Sequence, residues 1–423
     1  MMQRHRYVRT TWSFATLAAA LVLGSCASSP DREPPPPEPI AADAGQVAAE
    51  AGRGAAEAVA ADVAAWSETD RLMVELSFAS YAGFWLDDPE LAAAEVSAFL
   101  AGFLPGQELV WGPAAHSPDT LVFTHPTDAL VFIIRDAASG DYTVVFRGTN
   151  PISGYEWLFQ DFMIDGQTPW NAVTVFVGEP RTGSGGAPDE ALVSEGTATA
   201  LSLRLALTPG QGFPGAGTSL ADALVGLAGS ADGTSRLRFT GHSLGGLLAP
   251  VAALWLSERL DDALEGAARP SLSVHGIASP TPGNAAFAAY LDSRLPDYDR
   301  YANSLDVAAL AWAEDSMAIL PGLYKPTIRM TSILKQLYRF CSRLARGKGY
   351  AHAGELVPVP SSVVPVYGDV YSLQMIYQHS VAYLHMLEPE RREAIVAGVI
   401  GPLAELVRIP GAEPFDVRKL FAD

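Results

Sequence analysis

A glycine-rich hexapeptide, Gly241-His242-Ser243-Leu244-Gly245-Gly246, constrains the fold more than any other feature of this sequence. It lies between a short apolar run over 237–240, typical of a buried strand, and a helical pattern over 244–260. A strand that turns directly into a helix leaves no room for side chains beside its central residue, so glycines flank Ser243. The pattern predicts a sharp turn that presents the Ser243 hydroxyl as a nucleophile, with the Leu244 backbone N–H positioned to stabilise an oxyanion.

Buried strands alternate with helices through most of the chain. Strands are predicted over 130–134, 142–146, 237–240 and 272–278, the first two forming a hairpin. Helices are predicted over 67–84, 193–207, 244–260 and 285–295, and loops over 178–189 and 208–219. This order is typical of an α/β fold with a mainly parallel central sheet covered by helices on both faces. We expect residues 66–423 to form one domain.

Composition excludes several classes of function. The 423 residues carry 28 Lys and Arg against 47 Asp and Glu, a formal net charge of −19. Nucleic-acid binding needs clustered cations, so no nucleic-acid partner is expected. Two cysteines, Cys26 and Cys341, exclude a disulfide scaffold and a cysteine-rich metal site. A serine nucleophile needs no metal or organic cofactor, so none is predicted, and the oligomeric state stays open.

The first 65 residues predict an exported, membrane-anchored protein. Three arginines precede an apolar run over 14–24 that is too short to span a bilayer, so residues 1–25 are typical of a signal peptide. The segment Leu23-Gly24-Ser25-Cys26 resembles the lipobox of bacterial lipoproteins, in which the cysteine is lipidated; an ordinary signal with an incidental cysteine is the alternative. Residues 26–65, rich in Pro and Ala, predict a tether. By analogy with lipoprotein sorting in Gram-negative bacteria, the lack of Asp after Cys26 favours the outer membrane.

A serine nucleophile needs a base and an orienting acid, both expected downstream of it. The histidines available there are His275, His352, His379 and His385. We favour His379, at a predicted junction between loop and helix, over His275, which lies inside a buried strand pattern. His242 is expected to point away from the serine and to be structural. Asp306 is the leading acid because it follows an extended stretch, and its rivals on spacing are Asp297, Asp299 and Asp315.

Five separated motifs occur in a recognisable order: Phe146-Arg147-Gly148-Thr149; Glu156-Trp157-Leu158 with Asp161; Thr240 to Gly246; Pro280-Thr281-Pro282-Gly283-Asn284; and Arg300, Asn303 and Asp306. Over residues 120–385 this set resembles the class 3 lipases, the fungal-lipase branch of the α/β-hydrolases. The resemblance implies a serine carboxylic-ester hydrolase acting on lipid esters. It implies a triad of Ser243, Asp306 and His379, an oxyanion hole at Thr149 and Leu244, and a structural role for His352.

Three segments depart from that family. Residues 193–197 lack its His and aromatic, 277–278 replace its Phe-Gly, and 308–311 replace its Pro-rich stretch. These changes affect the predicted shape of the substrate pocket more than the chemistry. They leave triglyceride, phospholipid and short ester open as substrates. The alternatives are a surface lipoprotein that keeps the fold without turnover, and an acyltransferase.

Two further patterns have competing interpretations. Residues 325–348 carry seven Lys and Arg and no acid, and a helical projection separates Lys335, Arg339, Arg343 and Arg346 from an apolar face. This segment is either an ordinary surface helix or a lid or membrane-facing helix that meets anionic lipid. Aromatic residues at Trp157, Phe159, Phe162, Trp170 and Phe176 predict either a lid over the acyl pocket or core.

Overall fold

The computed structural model describes residues 66–117, 127–150, 163–173, 186–230, 235–263, 269–364 and 371–400. The predicted signal peptide, Cys26, the tether, and the aromatic residues Trp157, Phe159, Phe162 and Phe176 lie outside these ranges. No helix in the described ranges is long and apolar enough to cross a membrane.

Eleven strands are found in the described part of the chain. They are β1 (Gln107–His116), β2 (Ala129–Asp136), β3 (Tyr142–Phe146), β4 (Gln167–Pro169), β5 (Leu192–Ser194), β6 (Arg236–His242), β7 (Ser271–Ile277), β8 (Gly283–Asn284), β9 (Tyr298–Asn303), β10 (Tyr350–Ala351) and β11 (Glu355–Val359). Seven form the central sheet in the order β1-β2-β3-β6-β7-β9-β11, and four short ones form a second sheet in the order β10-β8-β5-β4.

The central sheet is parallel from β3 to β11, and β1 and β2 extend it as antiparallel strands. The carboxyl ends of β3 and β6 therefore meet at one edge, where Phe146 pairs with Gly241. Strands β2 and β3 form the predicted hairpin. Buried side chains fill nearly all of β2, as expected for a strand covered on both faces.

Twelve helices are found in the described part of the chain, two of them before β1. They are α1 (Glu68–Ala79), α2 (Pro89–Phe103), α3 (Trp170–Val173), α4 (Glu195–Ala206), α5 (Leu220–Ser230), α6 (Leu244–Ala263), α7 (Ala285–Arg294), α8 (Glu314–Ile319), α9 (Ser332–Ala345), α10 (Tyr371–Ile376), α11 (Ala382–Leu384) and α12 (Pro389–Ile395). A 3₁₀ turn covers Leu320–Gly322, and π turns cover Tyr377–Val381 and Val396–Ile400.

Two hydrophobic clusters lie on opposite sides of the sheet. Side chains of α4, α5, α6 and α7 form one with Val144 and Phe239, while α1, α2 and the chain after Val381 form the other with Phe132 and Val145. Alternate residues of one strand thus face different clusters, as the period of two in a strand requires. The predicted α/β fold, with a mainly parallel sheet and helices on both faces, is confirmed.

Element boundaries differ from the prediction at two instructive places. The helix predicted to begin at Val193 begins at Glu195, because Ser194 is its N-cap and accepts a hydrogen bond from the Thr197 N–H at 2.9 Å. An N-cap residue is extended, and this leaves 192–194 free to pair as β5. Strand β1 was not predicted, because register shifts between its residues 109 and 114 interrupt the alternation of apolar and polar side chains.

Candidate active site

Ser243 lies at the turn between β6 and α6. Its φ of +60° is in the left-handed region, which non-glycine residues seldom adopt. Two backbone hydrogen bonds hold the turn, from the Ser243 N–H to the Ile277 carbonyl at 2.9 Å and from the Leu247 N–H to the Ser243 carbonyl at 3.1 Å. Strain of this kind persists only where its surroundings enforce it, and it is typical of functional sites.

The glycines beside the serine have a steric reason. A Cβ on Gly245 would lie 2.2 Å from the Phe146 carbonyl oxygen, and one on Gly241 would lie 2.5 Å from the same atom. Both obstacles are backbone at the carboxyl end of β3, so neither can yield. This agrees with the requirement for small residues that the sequence pattern predicts.

His379 lies within hydrogen-bonding distance of Ser243 and Asp306. Its Nε2 is 2.9 Å from the Ser243 Oγ, and its Nδ1 is 3.0 Å from both carboxylate oxygens of Asp306. The His379 side chain retains 27% of its exposure, whereas that of Asp306 is fully buried. A hydroxyl, an imidazole and a buried carboxylate in this sequence of contacts can activate a nucleophile and hold the positive charge that forms on the ring.

The position of His379 along its element corrects the sequence prediction. The junction predicted there between loop and helix is wrong, because helical structure begins at Tyr371, eight residues earlier. His379 lies in the π turn Tyr377–Val381, inside a continuous helical stretch. Such turns widen a helix locally and occur often at functional sites.

The Asp306 carboxylate has two more donors. The Tyr383 hydroxyl donates to Oδ2 at 2.9 Å, and the Ala308 N–H donates to Oδ1 at 2.9 Å. Burial, followed by the charge of Asp306, raises the pKa of Tyr383 well above its usual value. The tyrosine therefore stays protonated as a donor.

Asn303 joins the loop of Asp306 to the segment of His379. Its side-chain amide donates to the Gln378 carbonyl at 3.0 Å and to the Gln378 side-chain oxygen at 2.7 Å. Its own Oδ1 accepts from the Leu305 N–H at 2.8 Å. Both residues are fully buried, so the contact fixes the acid and the imidazole relative to each other.

His242 is buried behind the site, as the sequence analysis expects of a structural residue. Its Nδ1 lies 3.0 Å from the Tyr81 hydroxyl, and its Nε2 lies 2.6 Å from the carbonyl oxygen of His379. Burial, and then the charge of His379, lowers the pKa of His242 well below its usual value. A neutral ring that accepts from Tyr81 and donates to His379 satisfies both contacts.

Thr149 and Leu244 lie at the two strand ends that meet beside Ser243. Thr149 is buried three residues beyond the end of β3, and Leu244 is the first residue of α6. The first N–H groups of a helix have no partner within it, so that of Leu244 is available for a developing negative charge. Gly148 brings the two segments together, since a Cβ there would lie 3.1 Å from the Ser243 Cβ.

Sequence reasoning missed the side chains that hold the end of β3. Asn150 is fully buried and donates to the carbonyls of Phe84 and Thr127, each at 2.6 Å. Arg147, also fully buried, donates to the Thr127 carbonyl at 2.5 Å. Phe84 and Thr127 are distant in sequence, and this is why no local pattern indicated these contacts. The Arg147-Gly148 pair in the motif Phe146-Arg147-Gly148-Thr149 was the only feature of the sequence that pointed to this segment.

The remaining candidates lie apart from Ser243. His275 contacts the Tyr301 hydroxyl at 3.3 Å, and burial lowers its pKa to about 4. Burial, with the nearby Arg300 guanidinium, lowers the pKa of His352 to about 3. His385 contacts the Tyr377 hydroxyl at 3.1 Å, and burial lowers its pKa to about 4. Of Asp306 and its rivals Asp297, Asp299 and Asp315, it is Asp306 whose carboxylate lies 3.0 Å from the His379 Nδ1.

Trp170, one of the aromatic residues predicted as lid or core, belongs to the core. It is fully buried and its indole N–H donates to both carboxylate oxygens of Glu258, at 3.0 and 3.1 Å. Within the described ranges, no three His, Cys, Asp or Glu side chains are grouped so that they could hold a metal ion.

The fold and this arrangement define an α/β-hydrolase. Residues 143–314 match the sequence model of the family described as "Lipase (class 3)". The chain is a serine ester hydrolase of the lipase type.

One solved structure supports this assignment. The chain resembles M37 lipase with 27% identity and a TM-score of 0.65, covering 80% of this chain and 99% of that one. It also matches the Lip2 lipase of Yarrowia lipolytica at 16% identity and a TM-score of 0.39, over 71% of this chain and 81% of that one. No curated protein matches the chain.

Proposed function

We propose that this protein hydrolyses carboxylic esters of lipids through an acyl-enzyme, with Ser243 as nucleophile, His379 as general base and Asp306 as orienting acid. The observation that carries the proposal is the chain of contacts from the Ser243 Oγ to His379 at 2.9 Å and from His379 to Asp306 at 3.0 Å. The match to the class 3 lipases and the likeness to M37 lipase support lipid esters as the substrate class.

Acylation begins when the Ser243 Oγ attacks the ester carbonyl carbon. The hydroxyl proton passes to Nε2 of His379, and the carbonyl oxygen becomes an oxyanion. Collapse of the tetrahedral intermediate breaks the bond to the leaving alcohol, which takes the proton back from Nε2. Water then repeats these steps on the acyl-serine, and His379 again accepts and returns one proton. The acid product leaves and the serine is restored.

Asp306 keeps the proton of neutral His379 on Nδ1, so that Nε2 faces the serine as an acceptor. Its negative charge also stabilises the imidazolium that forms in each half-reaction. The hydrogen bonds from Tyr383 and Ala308 hold the carboxylate in its orientation and satisfy its oxygens, although it has no contact with solvent.

Thr149 and the Leu244 N–H are the proposed donors to the oxyanion. A donor fixed before the reaction stabilises the transition state without reorganising, and each contributes roughly 3 kcal/mol. The positive end of α6, which starts at Leu244, acts in the same direction.

A panel of p-nitrophenyl esters, triglycerides and phospholipids tests the proposal. We expect hydrolysis of at least one lipid ester class, and loss of that activity in His379→Ala but not in His352→Ala. Analysis of the products separates transfer of the acyl group to water from transfer to an added alcohol. A protein that cleaves none of these esters, or whose His379→Ala variant keeps full activity while folded, contradicts it.

We also infer that the protein is exported and held at the cell envelope, in the outer membrane, by acyl chains on Cys26. The support is the order of sequence features: a basic start, a short apolar run, Leu23-Gly24-Ser25-Cys26 and a Pro-rich stretch. Several acyl chains anchor a protein stably, whereas one gives only marginal binding. A tether of about 40 residues would leave the hydrolase free to move over the membrane surface.

A further inference from the structure

Helix α9 divides its surface sharply by charge. At 100° per residue, Lys335, Arg339 and Arg343 of α9 and its C-cap residue Arg346 project within one 80° sector. We call these four residues the basic face. The side of the helix that meets the protein interior carries Cys341 and Ala345, which are both buried.

The basic face is exposed and is not neutralised. All four of its cations are exposed, and no ion pair joins any of them to the residues that the structure describes. Glu314, which packs near the end of α9, accepts a hydrogen bond from the Gly347 N–H. A concentration of positive charge therefore stands out from a chain whose formal net charge is −19.

Three large apolar side chains are exposed on α8, α9 and α10. Ile319 on α8 and Ile333 on α9 are each 52% exposed, and Ile376 on α10 is 46% exposed. We call these three residues the apolar edge. They account for three of the five large hydrophobic residues exposed in the described structure. All three lie on helices that contribute to one hydrophobic cluster.

That cluster connects the surface to the active site. Tyr324, fully buried, contacts Tyr371 with ring centroids 4.6 Å apart and the planes tilted by 44°, and its hydroxyl donates to the carbonyl of Leu305 at 2.9 Å. Leu305 directly precedes Asp306. Tyr371 opens the helical stretch that contains Ile376 and, three residues later, His379. A lipid surface that contacts α9 would therefore lie close to the acid and the base of the active site.

We propose that the basic face and the apolar edge together dock the protein on an anionic phospholipid bilayer, from which it takes its substrate. The proposal rests on the lipid-ester hydrolysis proposed above. Cations on a helix attract the headgroups of anionic lipids, and neighbouring apolar side chains enter the boundary between headgroups and acyl chains. A nucleic acid would gain nothing from three exposed isoleucines, and a zwitterionic membrane would gain nothing from the four cations.

Binding is measured by sedimentation with vesicles of ether-linked phosphatidylcholine, with and without ether-linked phosphatidylglycerol. These lipids carry no ester, so hydrolysis cannot alter the surface. Every protein is the full chain with Cys26→Ser, so that acylation does not dominate binding. The test variant replaces Lys335, Arg339, Arg343 and Arg346 with Gln.

The control variant replaces Arg135, Arg236, Arg259 and Arg269 with Gln. These arginines lie towards the opposite end of the sheet from Ser243, near the end of β2, the start of β6 and β7 and the end of α6. The control therefore changes the net charge by the same amount. We expect the test variant to bind anionic vesicles at least about 30-fold more weakly, because each cation near such a surface contributes about fivefold and the loss of two of the four already gives this factor. The control should keep nearly all of its binding.

The apolar edge is tested by Ile319→Ser with Ile333→Ser. This variant should bind anionic vesicles several-fold more weakly, and the loss should persist at high salt, where the effect of the basic face fades. All variants should cleave p-nitrophenyl butyrate like the parent, since none of these residues belongs to the catalytic site.

Three results overturn the docking proposal: equal binding to both kinds of vesicle, equal losses in test and control variants, or no vesicle binding by the parent. If the parent binds no vesicles, an acidic protein would be the alternative partner of this surface. Failure of the parent to cleave p-nitrophenyl butyrate or any lipid ester would instead refute the proposed function, and the ether vesicles would still report docking independently.

Discussion

The Asp306 carboxylate is negatively charged and fully buried. Hydrogen bonds to three neighbours replace those that water would make. They are His379, the Tyr383 hydroxyl and the Ala308 N–H, all within 3.0 Å. Tyr383 has a second contact, since its oxygen accepts from the Asn303 N–H at 3.0 Å. At the scale of single residues, the orienting acid thus depends on a tyrosine that never touches substrate.

Replacing Tyr383 with Phe tests that dependence. The variant loses one donor to the carboxylate, and a hydrogen bond to a charged group contributes about 1.5–3 kcal/mol. We expect kcat on a soluble ester to fall about tenfold while KM changes little, because Tyr383 positions the triad and does not bind substrate. The control is Tyr377→Phe, which removes a hydroxyl bonded to His385 instead. An unchanged kcat in Tyr383→Phe would contradict this role.

His275 should make the fold sensitive to acid. Its pKa is lowered by burial to about 4, against about 6.5 when unfolded. Between these pH values the unfolded chain binds a proton that the folded chain does not, so this residue lowers stability as pH falls. This destabilisation by His275 is absent above about pH 6.5 and complete below about pH 4.

In His275→Gln the dependence of unfolding free energy on pH should be shallower by up to about 1.4 kcal/mol per pH unit within that window. Urea unfolding of parent and variant at several pH values between 4 and 7 measures the slope. Parallel curves for the two proteins would show that His275 is not the group responsible.

At the scale of elements, the active site is a junction of β3, β6 and α1. Gly148 follows β3, and a Cβ there would lie 2.2 Å from the His242 carbonyl oxygen and 2.3 Å from the Tyr81 hydroxyl. One obstacle is the backbone of the serine turn and the other is a buried side chain just after α1. The junction therefore has no space to accept even one methyl group.

Gly148→Ala should reduce kcat/KM at least about 100-fold, because a displacement of about 1 Å beside a catalytic group has a cost of this size. Its matched control is Gly226→Ala on α5, where an added Cβ meets nothing within 4 Å. The control should keep full activity and gain up to about 1 kcal/mol in stability. Full activity of Gly148→Ala would show that the junction does have space for the added methyl group.

Much of this arrangement could be predicted from the sequence, because the decisive signals are local. The glycines around Ser243 and the apolar run before it describe one strand, one turn and one helix. The contacts of Asn150 with Phe84, and of Asn303 with Gln378, join residues more than 60 positions apart. No local pattern reports such pairs. The π turn at His379 was missed for a related reason, since tertiary contacts determine it and its sequence does not.

In the molecule as a whole, the concentrated positive charge and the proposed lipid anchor lie in different parts of the chain. The chain is strongly acidic, while the basic face is confined to α9 and the proposed lipidation site lies at Cys26, 40 residues before Trp66. An anchor at the end of a long tether brings the hydrolase to the membrane without specifying which surface faces the lipid. That second task is the one we assign to α9 and its neighbours.

Cys26→Ser should move the protein from the membrane fraction to the soluble fraction, or leave its signal peptide uncleaved. Each buried CH₂ of an acyl chain contributes about 0.8 kcal/mol, which no single side chain replaces. Specific activity on a soluble ester should stay unchanged, because the cysteine is remote in sequence from the hydrolase. Fractionation and mass measurement test this. A processed variant that still sediments with membranes after a high-salt wash would show that another element anchors it.

Labelling with a fluorophosphonate shows whether Ser243 is the nucleophile, since such a probe reacts only with a serine that is activated as a nucleophile. We expect one adduct per chain, located by peptide mass spectrometry on Ser243, and none in Ser243→Ala. Ser230→Ala, an exposed serine remote from the turn, should label like the parent. An adduct on a different residue, or undiminished labelling of folded Ser243→Ala, would contradict the account.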